Sequence, residues 1–199
     1  MEVTVEQIRE LREATGAGVL DAKKALVAAN GDFDKAVDAL REKGLARAAK
    51  RADREAKEGL IEMYSHLANR VGVMLELNSE SDFVARTEMF GALAHEIALH
   101  IAAMDPKYVS RDEVPQEDLE RELDVLRAQA KAEGKPDAIV EKIVTGRMEK
   151  FYQETVLLEQ PFVKDDSKTV QDLINDAIAQ LGENIILRRF VRYELGEAI

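Results

Sequence analysis

The chain has 199 residues, of which 46% are hydrophobic and 34% are charged, a composition typical of a folded protein and not of a disordered one. Its formal net charge of -11 repels phosphate backbones, so the composition argues against nucleic-acid binding across a broad surface. The sequence has no cysteine, which excludes a disulfide framework, a thiolate metal site and a cysteine nucleophile.

The residues from Met1 to Thr4 lack the basic and apolar regions of a signal peptide. No later run of apolar residues approaches the length that a bilayer-spanning helix needs. Because no export signal is recognisable, we expect the chain to lie in the cytoplasm.

Three short helices are predicted at the start of the chain. Thr4 and Gln7 have the spacing of a capping box, in which each side chain satisfies the other's free backbone N–H. Asp32 is suited to cap the third helix, and Gly44 is expected to stop it. We predict that residues 1–46 form a small three-helix domain, near the lower size limit for independent stability.

A basic stretch follows this predicted domain. We interpret residues 47–57 as a basic helical tether with a solvated face, which is the usual role of such a run. A local basic patch of the kind that binds nucleic acid stays open as an alternative. The basic side chains are Arg47, Lys50, Arg51, Arg54 and Lys57.

After the tether the hydrophobic period changes from that of a helix to that of a strand. Residues 60–66 and 71–77 favour strands, with residues 67–70 as the turn, and they predict an antiparallel hairpin. A longer helix is predicted next, with apolar residues at helical spacing from Phe90 to Ile101. Asp105 and the proline after it are expected to end this helix.

The stretch from residue 116 to residue 153 predicts an antiparallel helical hairpin. A breaker at residues 133–136 separates two helices that each carry an apolar seam, as short coiled coils do. The first seam consists of Leu119, Leu123, Leu126 and Ala130, and the second of Ile139, Val140, Ile143, Val144 and Phe151.

The last part of the chain predicts one more helix and one more strand. Thr169 and Asp172 are suited to cap the helix, Gly182 to close it, and residues 184–193 to form the strand. This strand can pair with the earlier hairpin to give a three-stranded antiparallel sheet. The predicted fold class is α+β, with residues 58–199 as the core domain.

Nothing in the sequence assembles an active site. His95 and His100 are five residues apart, too far around a helix for a shared metal site, and His66 has no evident acidic partner. The glycines of residues 15–18 join two helices and lack the lysine of a phosphate-binding loop. We therefore expect no catalytic residue, no metal site and no cofactor.

One segment, residues 78–86, breaks the regular pattern. Its polar, turn-forming residues lead directly into an aromatic residue, Phe83. One interpretation is that Phe83 caps the hydrophobic core. The alternative is that Phe83 is an exposed anchor for a partner, since exposed aromatic residues in loops often carry binding energy.

This segment and three others resemble elongation factor Ts. The resemblance covers nearly the whole chain in the family's order and departs at Ser81, where the family usually has threonine; the hydroxyl is kept. The length is that of the shorter form, with one core subdomain where longer members have two. The segments are Ser81-Asp82-Phe83-Val84-Ala85-Arg86, Leu11 to Gly18, Glu159 to Val163, and Arg189-Phe190 with Arg192-Tyr193-Glu194.

The resemblance implies a guanine nucleotide exchange factor that acts on elongation factor Tu and makes or breaks no bond itself. It implies that residues 1–46 are a ubiquitin-associated-like domain that docks on the GTPase domain. The loop with Asp82, Phe83, Val84 and Ala85 would enter near the Mg²⁺ and phosphate site, dislodge Mg²⁺ and release GDP.

The resemblance also bears on further contacts and on assembly. The turn with Arg70, Val71 and Gly72 would touch a second domain of the partner. Because this chain has one core subdomain, we expect a homodimer whose sheet faces meet, in a complex of two copies of each protein.

Two other functions stay open at this point. An adaptor would use the N-terminal bundle to bind ubiquitin-like or other partners, but it would have no need for the Asp82-Phe83 loop on a folded core. A small hydrolase would need a nucleophile, a base and an orienting group, and the sequence does not supply that set.

Overall fold

The computed structural model describes residues 3–134 and 136–198. Met1 and Glu2 of the predicted N-terminal domain, Lys135 of the predicted breaker and the terminal Ile199 lie outside the described residues. The chain divides into two compact units. The first comprises Met1–Ile61, Glu76–Ala94 and Asp172–Leu187, and the second comprises Glu62–Leu75, His95–Gln171 and Arg188–Ile199.

Helices and strands give a mixed α+β fold, as predicted. The helices are α1 (Val5–Thr15), α2 (Val19–Ala28), α3 (Phe33–Ala49), α4 (Asp82–Ala85), α5 (Glu88–Met104), α6 (Gln116–Ala132), α7 (Asp137–Thr155) and α8 (Val170–Leu181). The strands are β1 (Glu58–His66), β2 (Val71–Ser79), β3 (Pro161–Phe162), β4 (Asp165–Thr169) and β5 (Ile185–Glu194). No helix within the described ranges is long and apolar enough to cross a membrane.

The first three helices form a bundle within the first unit. The predicted capping box is confirmed, since Thr4 N donates to Gln7 Oε1 at 3.0 Å and Gln7 N donates to Thr4 Oγ1 at 3.2 Å. The Asp32 side chain caps α3 by accepting from Lys35 N at 3.2 Å. The buried residues at the centre of the bundle are Leu11, Ala22, Ala25, Leu26 and Ala36.

The predicted end of α3 at Gly44 is wrong, because the helix continues to Ala49. A glycine ends a helix when it adopts a left-handed conformation, and Gly44 does not. A Cβ at Gly44 would lie 3.4 Å from the Ala179 Cβ, so the missing side chain lets α8 pack closely on α3. The predicted helical tether is therefore helical only as far as Ala49, and turns and a bend follow at residues 50–54.

Other contacts also join α8 to the bundle. Arg41 pairs with Asp172 at 3.1 Å, and Gly16, with φ of 65°, lies where a Cβ would come within 2.4 Å of the Gln180 side chain. The left-handed backbone favours glycine at this position, whereas the Gln180 amide is the far end of a flexible side chain and would move aside for a Cβ. The division of residues 1–46 from the rest of the chain stays a prediction.

The three-stranded sheet has the order β1-β2-β5 and is antiparallel, which confirms the predicted pairing. Along β2 the buried residues Val71, Val73, Leu75 and Leu77 alternate with residues that are more exposed. One face of the strand is therefore apolar and buried, as its alternating sequence predicted.

The turn between β1 and β2 has an unusual backbone. Leu67, Ala68 and Asn69 all have positive φ, at 49°, 53° and 66°, and a side chain with a Cβ makes this conformation costly except for asparagine. We therefore expect Ala68→Gly to stabilise the protein by up to about 1 kcal/mol. Urea unfolding would measure this gain. The control, Ala128→Gly on the exposed face of α6, should lose about 1 kcal/mol, and a loss at Ala68 as well would contradict the prediction.

The alternation along β5 changes phase in the middle of the strand. Ile185 and Leu187 are buried, Arg188 and Arg189 are both exposed, and thereafter Val191 and Tyr193 are the exposed residues. Two consecutive exposed residues are typical of a β-bulge, which shifts the following side chains to the opposite face.

The helical hairpin is confirmed within the second unit. Leu126, Ala130, Val140, Val144 and Met148 form its buried core, and the predicted seam residues Leu119 and Leu123 pack against it. The antiparallel pair of β3 and β4, in which Pro161 is opposite Thr169, was not predicted. These two strands are too short and too polar to give a strand pattern.

Candidate functional site

The segment with the family signature forms a single helical turn between a strand and a long helix. β2 ends at Ser79, α4 covers Asp82–Ala85, and α5 begins at Glu88. Ser81 is the N-cap of α4, in extended conformation, and its Oγ accepts from Val84 N at 3.4 Å. At the other end of α4, Thr87 Oγ1 donates to the Val84 carbonyl at 2.8 Å.

Phe83 is the most exposed large hydrophobic residue on this segment, with 81% of its surface accessible. The interpretation that Phe83 caps the core is therefore wrong. Val84 and Ala85 are half-buried, and Asp82 pairs with Arg86 at 2.8 Å on the solvent side. An exposed ring on an ordered turn is suited to insertion into a partner.

Two acidic side chains, Glu183 and Glu80, join the signature turn to the turn after α8 by hydrogen bonds. Ser81 Oγ donates to Glu183 Oε1 at 2.6 Å, and Ser81 N donates to Glu183 Oε2 at 2.9 Å. Asn184 N in turn donates to Glu80 Oε1 at 2.7 Å. Glu183 was not predicted from the sequence, since 102 residues separate it from Ser81 and no local pattern marks it.

The second group of predicted site residues lies in the other unit. Arg70 and Gly72 are exposed, whereas Val71 is 3% exposed. A partner that approached this turn would thus meet Arg70 and Gly72 and the backbone around them.

The three histidines have separate surroundings. His95 Nδ1 lies 3.0 Å from Glu62 Oε1, and His66 Nδ1 lies 3.0 Å from the Tyr64 hydroxyl. In the part of the chain that the structure describes, no group of three or more His, Asp or Glu side chains could hold a metal ion.

His100 is fully buried and links three segments of the second unit. Its Nδ1 accepts from Val163 N at 3.2 Å, so its Nε2 carries the proton and donates to Gln160 Oε1 at 2.9 Å. Gln160 Nε2 donates to the Glu154 carbonyl at the end of α7, at 2.7 Å. Burial lowers the pKa of His100 below its ordinary value of 6.5, because the charged imidazole loses hydration.

This lowered pKa predicts that the protein loses stability in mild acid. The unfolded chain binds a proton at His100 near pH 6.5, and the folded chain binds it only at lower pH. The stability that neutral, buried His100 contributes is therefore complete above pH 6.5, and it is lost as the pH falls from 6.5 through the folded pKa. The free energy of unfolding, measured in urea between pH 7.5 and 5.5, should fall less steeply for His100→Gln than for the unchanged protein. Equal slopes for His100→Gln and the unchanged protein would contradict the prediction.

Two further apolar surfaces are exposed, one in each unit. On the bundle, Val19 and Leu20 at the start of α2 are 51% and 72% exposed. On the sheet, a shallow depression of about 310 Å³ is lined by residues of β1, β2 and β5. Its most exposed apolar side chains are Met63, Met74, Val191 and Tyr193, and we call this surface the sheet face.

Comparison with known proteins gives one family over almost the whole chain. The family model described as elongation factor TS matches residues 4–197. The chain belongs to the elongation factor Ts family. This confirms the resemblance that the signature segments suggested.

Similar elongation factor Ts proteins have nearly the same length as this chain. The elongation factor Ts of Moorella thermoacetica is 58% identical over 197 residues, which are 99% of this chain and 97% of the relative. The protein of Acetivibrio thermocellus is 58% identical, over 99% of this chain and 92% of the relative. The protein of Caldanaerobacter subterraneus subsp. tengcongensis is 56% identical, over 99% of this chain and 98% of the relative.

Proposed function

We propose that the chain is a guanine nucleotide exchange factor for elongation factor Tu, which binds the GDP-bound form, dislodges Mg²⁺ and promotes release of GDP so that GTP can rebind. Membership of the elongation factor Ts family supports the partner and the role in translation elongation. The observation that carries the mechanism is the exposed Phe83 ring on a turn that is hydrogen-bonded at both ends. The place of action is the cytoplasm.

The mechanism follows from the way a GTPase holds GDP. Backbone donors and a Mg²⁺ ion hold the phosphates, and Mg²⁺ demands near-octahedral geometry and usually keeps several waters. Phe83, inserted between the elements that position those waters, makes the site geometrically wrong for the ion, and Asp82 sets the turn and adds negative charge nearby. Once Mg²⁺ leaves, the phosphate charge is uncompensated and GDP dissociates.

Exchange of this kind needs binding energy and no bond chemistry. The factor binds the nucleotide-free GTPase most tightly, so nucleotide and factor weaken each other's binding by the same coupling free energy. Val84 and Ala85, which are half-buried, are assigned to the same partner-binding turn as Phe83. Arg70 and Gly72, with Val71 buried beneath them, are the residues that we assign to a second contact with the partner.

The N-terminal bundle is the docking module for the GTPase domain in this proposal. Val19 and Leu20 supply an exposed apolar surface beside the turn of residues 15–18. Such a surface costs little to desolvate and suits a hydrophobic patch on the partner.

A charge on the docking surface should weaken binding and leave the exchange step intact. We expect Leu20→Asp to raise the Kd for elongation factor Tu about 30-fold, or about 2 kcal/mol, because the carboxylate is desolvated in the complex. At a saturating concentration of the factor, GDP release should return to the original rate. Titration of the GDP release rate against factor concentration measures both the Kd and the rate at saturation. Val125→Asp on α6 is the control and should change neither quantity. An unchanged Kd for Leu20→Asp would show that Leu20 is not part of the docking surface.

The assembly is a homodimer in this proposal, formed when the sheet faces of two copies meet about a two-fold axis. The exposed methionines, valine and tyrosine of the sheet face are the kind of apolar surface that an isologous interface buries. Two copies of the factor would then bind two copies of the partner.

The deciding experiment is GDP release from elongation factor Tu loaded with a fluorescent GDP analogue. The purified chain, at a tenth of the GTPase concentration, should accelerate release many-fold in the presence of excess unlabelled GDP. Since a factor that acts repeatedly accelerates the whole sample, a substoichiometric amount distinguishes exchange from simple trapping. Binding without acceleration would support the adaptor function in place of exchange.

A further inference from the structure

The turn after α8 reaches the signature turn and exchanges hydrogen bonds with it. Glu183 accepts both donors of Ser81, and Glu80 accepts the backbone N–H of Asn184, all at 2.6 to 2.9 Å. The Asn184 side chain is 3% exposed, and its Nδ2 donates to the Arg54 carbonyl at 2.7 Å. The two turns, both in the first unit, are therefore held by a reciprocal pair of carboxylates.

α4 needs this support because it is too short to be stable alone. Forming a first helical turn is unfavourable, and α4 has four residues. Its N-cap bond from Val84 N to Ser81 Oγ is long, at 3.4 Å. The Ser81 hydroxyl donates its proton to Glu183, which fixes the hydroxyl so that a lone pair remains for Val84 N–H.

The carboxylate of Glu183 is better suited to this role than a neutral side chain. Its two oxygens accept from the Ser81 hydroxyl and the Ser81 N–H at the same time, and bonds to a charged acceptor are shorter and stronger than neutral ones. A carboxamide at the same place has one acceptor oxygen, so its NH₂ group would face one of the two donors.

We propose that Glu183 is a positioning residue for nucleotide exchange, which by its two hydrogen bonds to Ser81 fixes the N-cap of α4 and thereby the direction of the Phe83 ring. The inference rests on the proposed exchange function and adds to it a residue that does not touch the partner. We call the two hydrogen bonds from Ser81 to Glu183 the clamp. Without the clamp, Phe83 stays exposed but is no longer held in one orientation, so the complex still forms and nucleotide exchange slows.

The first test measures the clamp without the partner. In Glu183→Gln, amide hydrogen exchange of Val84 and Ala85, whose N–H groups donate to the Ser81 hydroxyl and carbonyl, should accelerate about tenfold or more when followed by NMR, the effect of losing a bond to a charged group. Glu10→Gln, the same change on the exposed face of α1, should leave both amides unchanged. Unchanged amides in Glu183→Gln would overturn the proposal.

The second test measures the consequence for exchange. Glu183→Gln should lower the rate of GDP release at saturating factor about tenfold while the Kd for elongation factor Tu changes less than about threefold. Ser81→Thr, which keeps the hydroxyl, should match the unchanged protein, and Ser81→Ala should be slow. The effects of Ser81→Ala and Glu183→Gln should not add, and in a Phe83→Ala background Glu183→Gln should have no further effect.

The outcomes separate the clamp from the exchange function. If Glu183→Gln loosens the amides but the unchanged chain does not accelerate GDP release, the exchange function fails and the structural clamp stands. If the amides loosen and GDP release at saturation stays normal, the positioning role is refuted. If Glu183→Gln does not fold, Ser81→Ala decides by the same two measurements, because it removes the hydroxyl bond and keeps the carboxylate.

Discussion

Replacing Phe83 with alanine should abolish most of the nucleotide exchange and leave the fold intact. Because 81% of the Phe83 surface is accessible, its removal should change the free energy of unfolding by less than about 0.5 kcal/mol. Affinity for elongation factor Tu should fall by about 2 kcal/mol or more, as for other binding hot spots. GDP release at saturating factor should fall further than affinity, since other docking surfaces still hold the complex while Mg²⁺ stays in place.

A second phenylalanine on the next helix provides the matched control. Phe90 is 0% exposed, so Phe90→Ala should cost about 3–5 kcal/mol of stability, whereas Phe83→Ala should melt close to the unchanged protein. Excess free Mg²⁺ should oppose the unchanged factor, because both act on one site. A large drop in the melting temperature of Phe83→Ala, or a GDP release rate equal to that of the unchanged factor, would exclude Phe83 as the inserted group.

A carboxylate in the sheet face should split the proposed dimer into single chains. Met74 is 45% exposed on β2, the central strand, so Met74→Glu should be tolerated in one chain alone. In an isologous interface the change brings two carboxylates together away from water, and we expect the dimer to weaken at least 100-fold, or about 3 kcal/mol. Sedimentation at micromolar concentration should then report one chain of 22.2 kDa in place of two.

A glutamate introduced outside the sheet face distinguishes disruption of the dimer interface from a general effect of the added negative charge. Ile139 on α7 is 43% exposed, similar to Met74, and Ile139→Glu should leave the sedimentation coefficient unchanged. If the unchanged chain already sediments as a monomer at micromolar concentration, the dimer proposal fails.

Local signals in the sequence predicted most of the individual elements. Capping at Thr4 and Asp32, the alternation from Val71 to Leu77 and the seam from Leu119 to Ala130 are all confirmed. Each of these signals depends on residues within one turn or one strand, where spacing alone decides which side chains share a face.

What the sequence did not predict depends on contacts between distant segments. Gly44 is a residue type that often ends helices, but here it lies inside α3 and close to Ala179 on a distant segment. The spacing of residues leaves the exposure of Phe83 open, because it cannot distinguish a loop residue that faces the core from one that faces solvent. Glu183 was missed altogether, as its partner Ser81 is brought near only by the completed fold.

The phase change at Arg188 and Arg189 limits how this chain can vary in length during evolution. Substitutions at these two exposed positions keep the pattern of the strand. Losing or gaining one residue there would exchange the faces of every later side chain, which would bring the Arg192 guanidinium, now bonded to the Ala102 carbonyl, out to solvent and turn Tyr193 inward. We therefore expect functional relatives to differ from this chain in residue type at these two positions and to share its residue count from Ile185 to Tyr193.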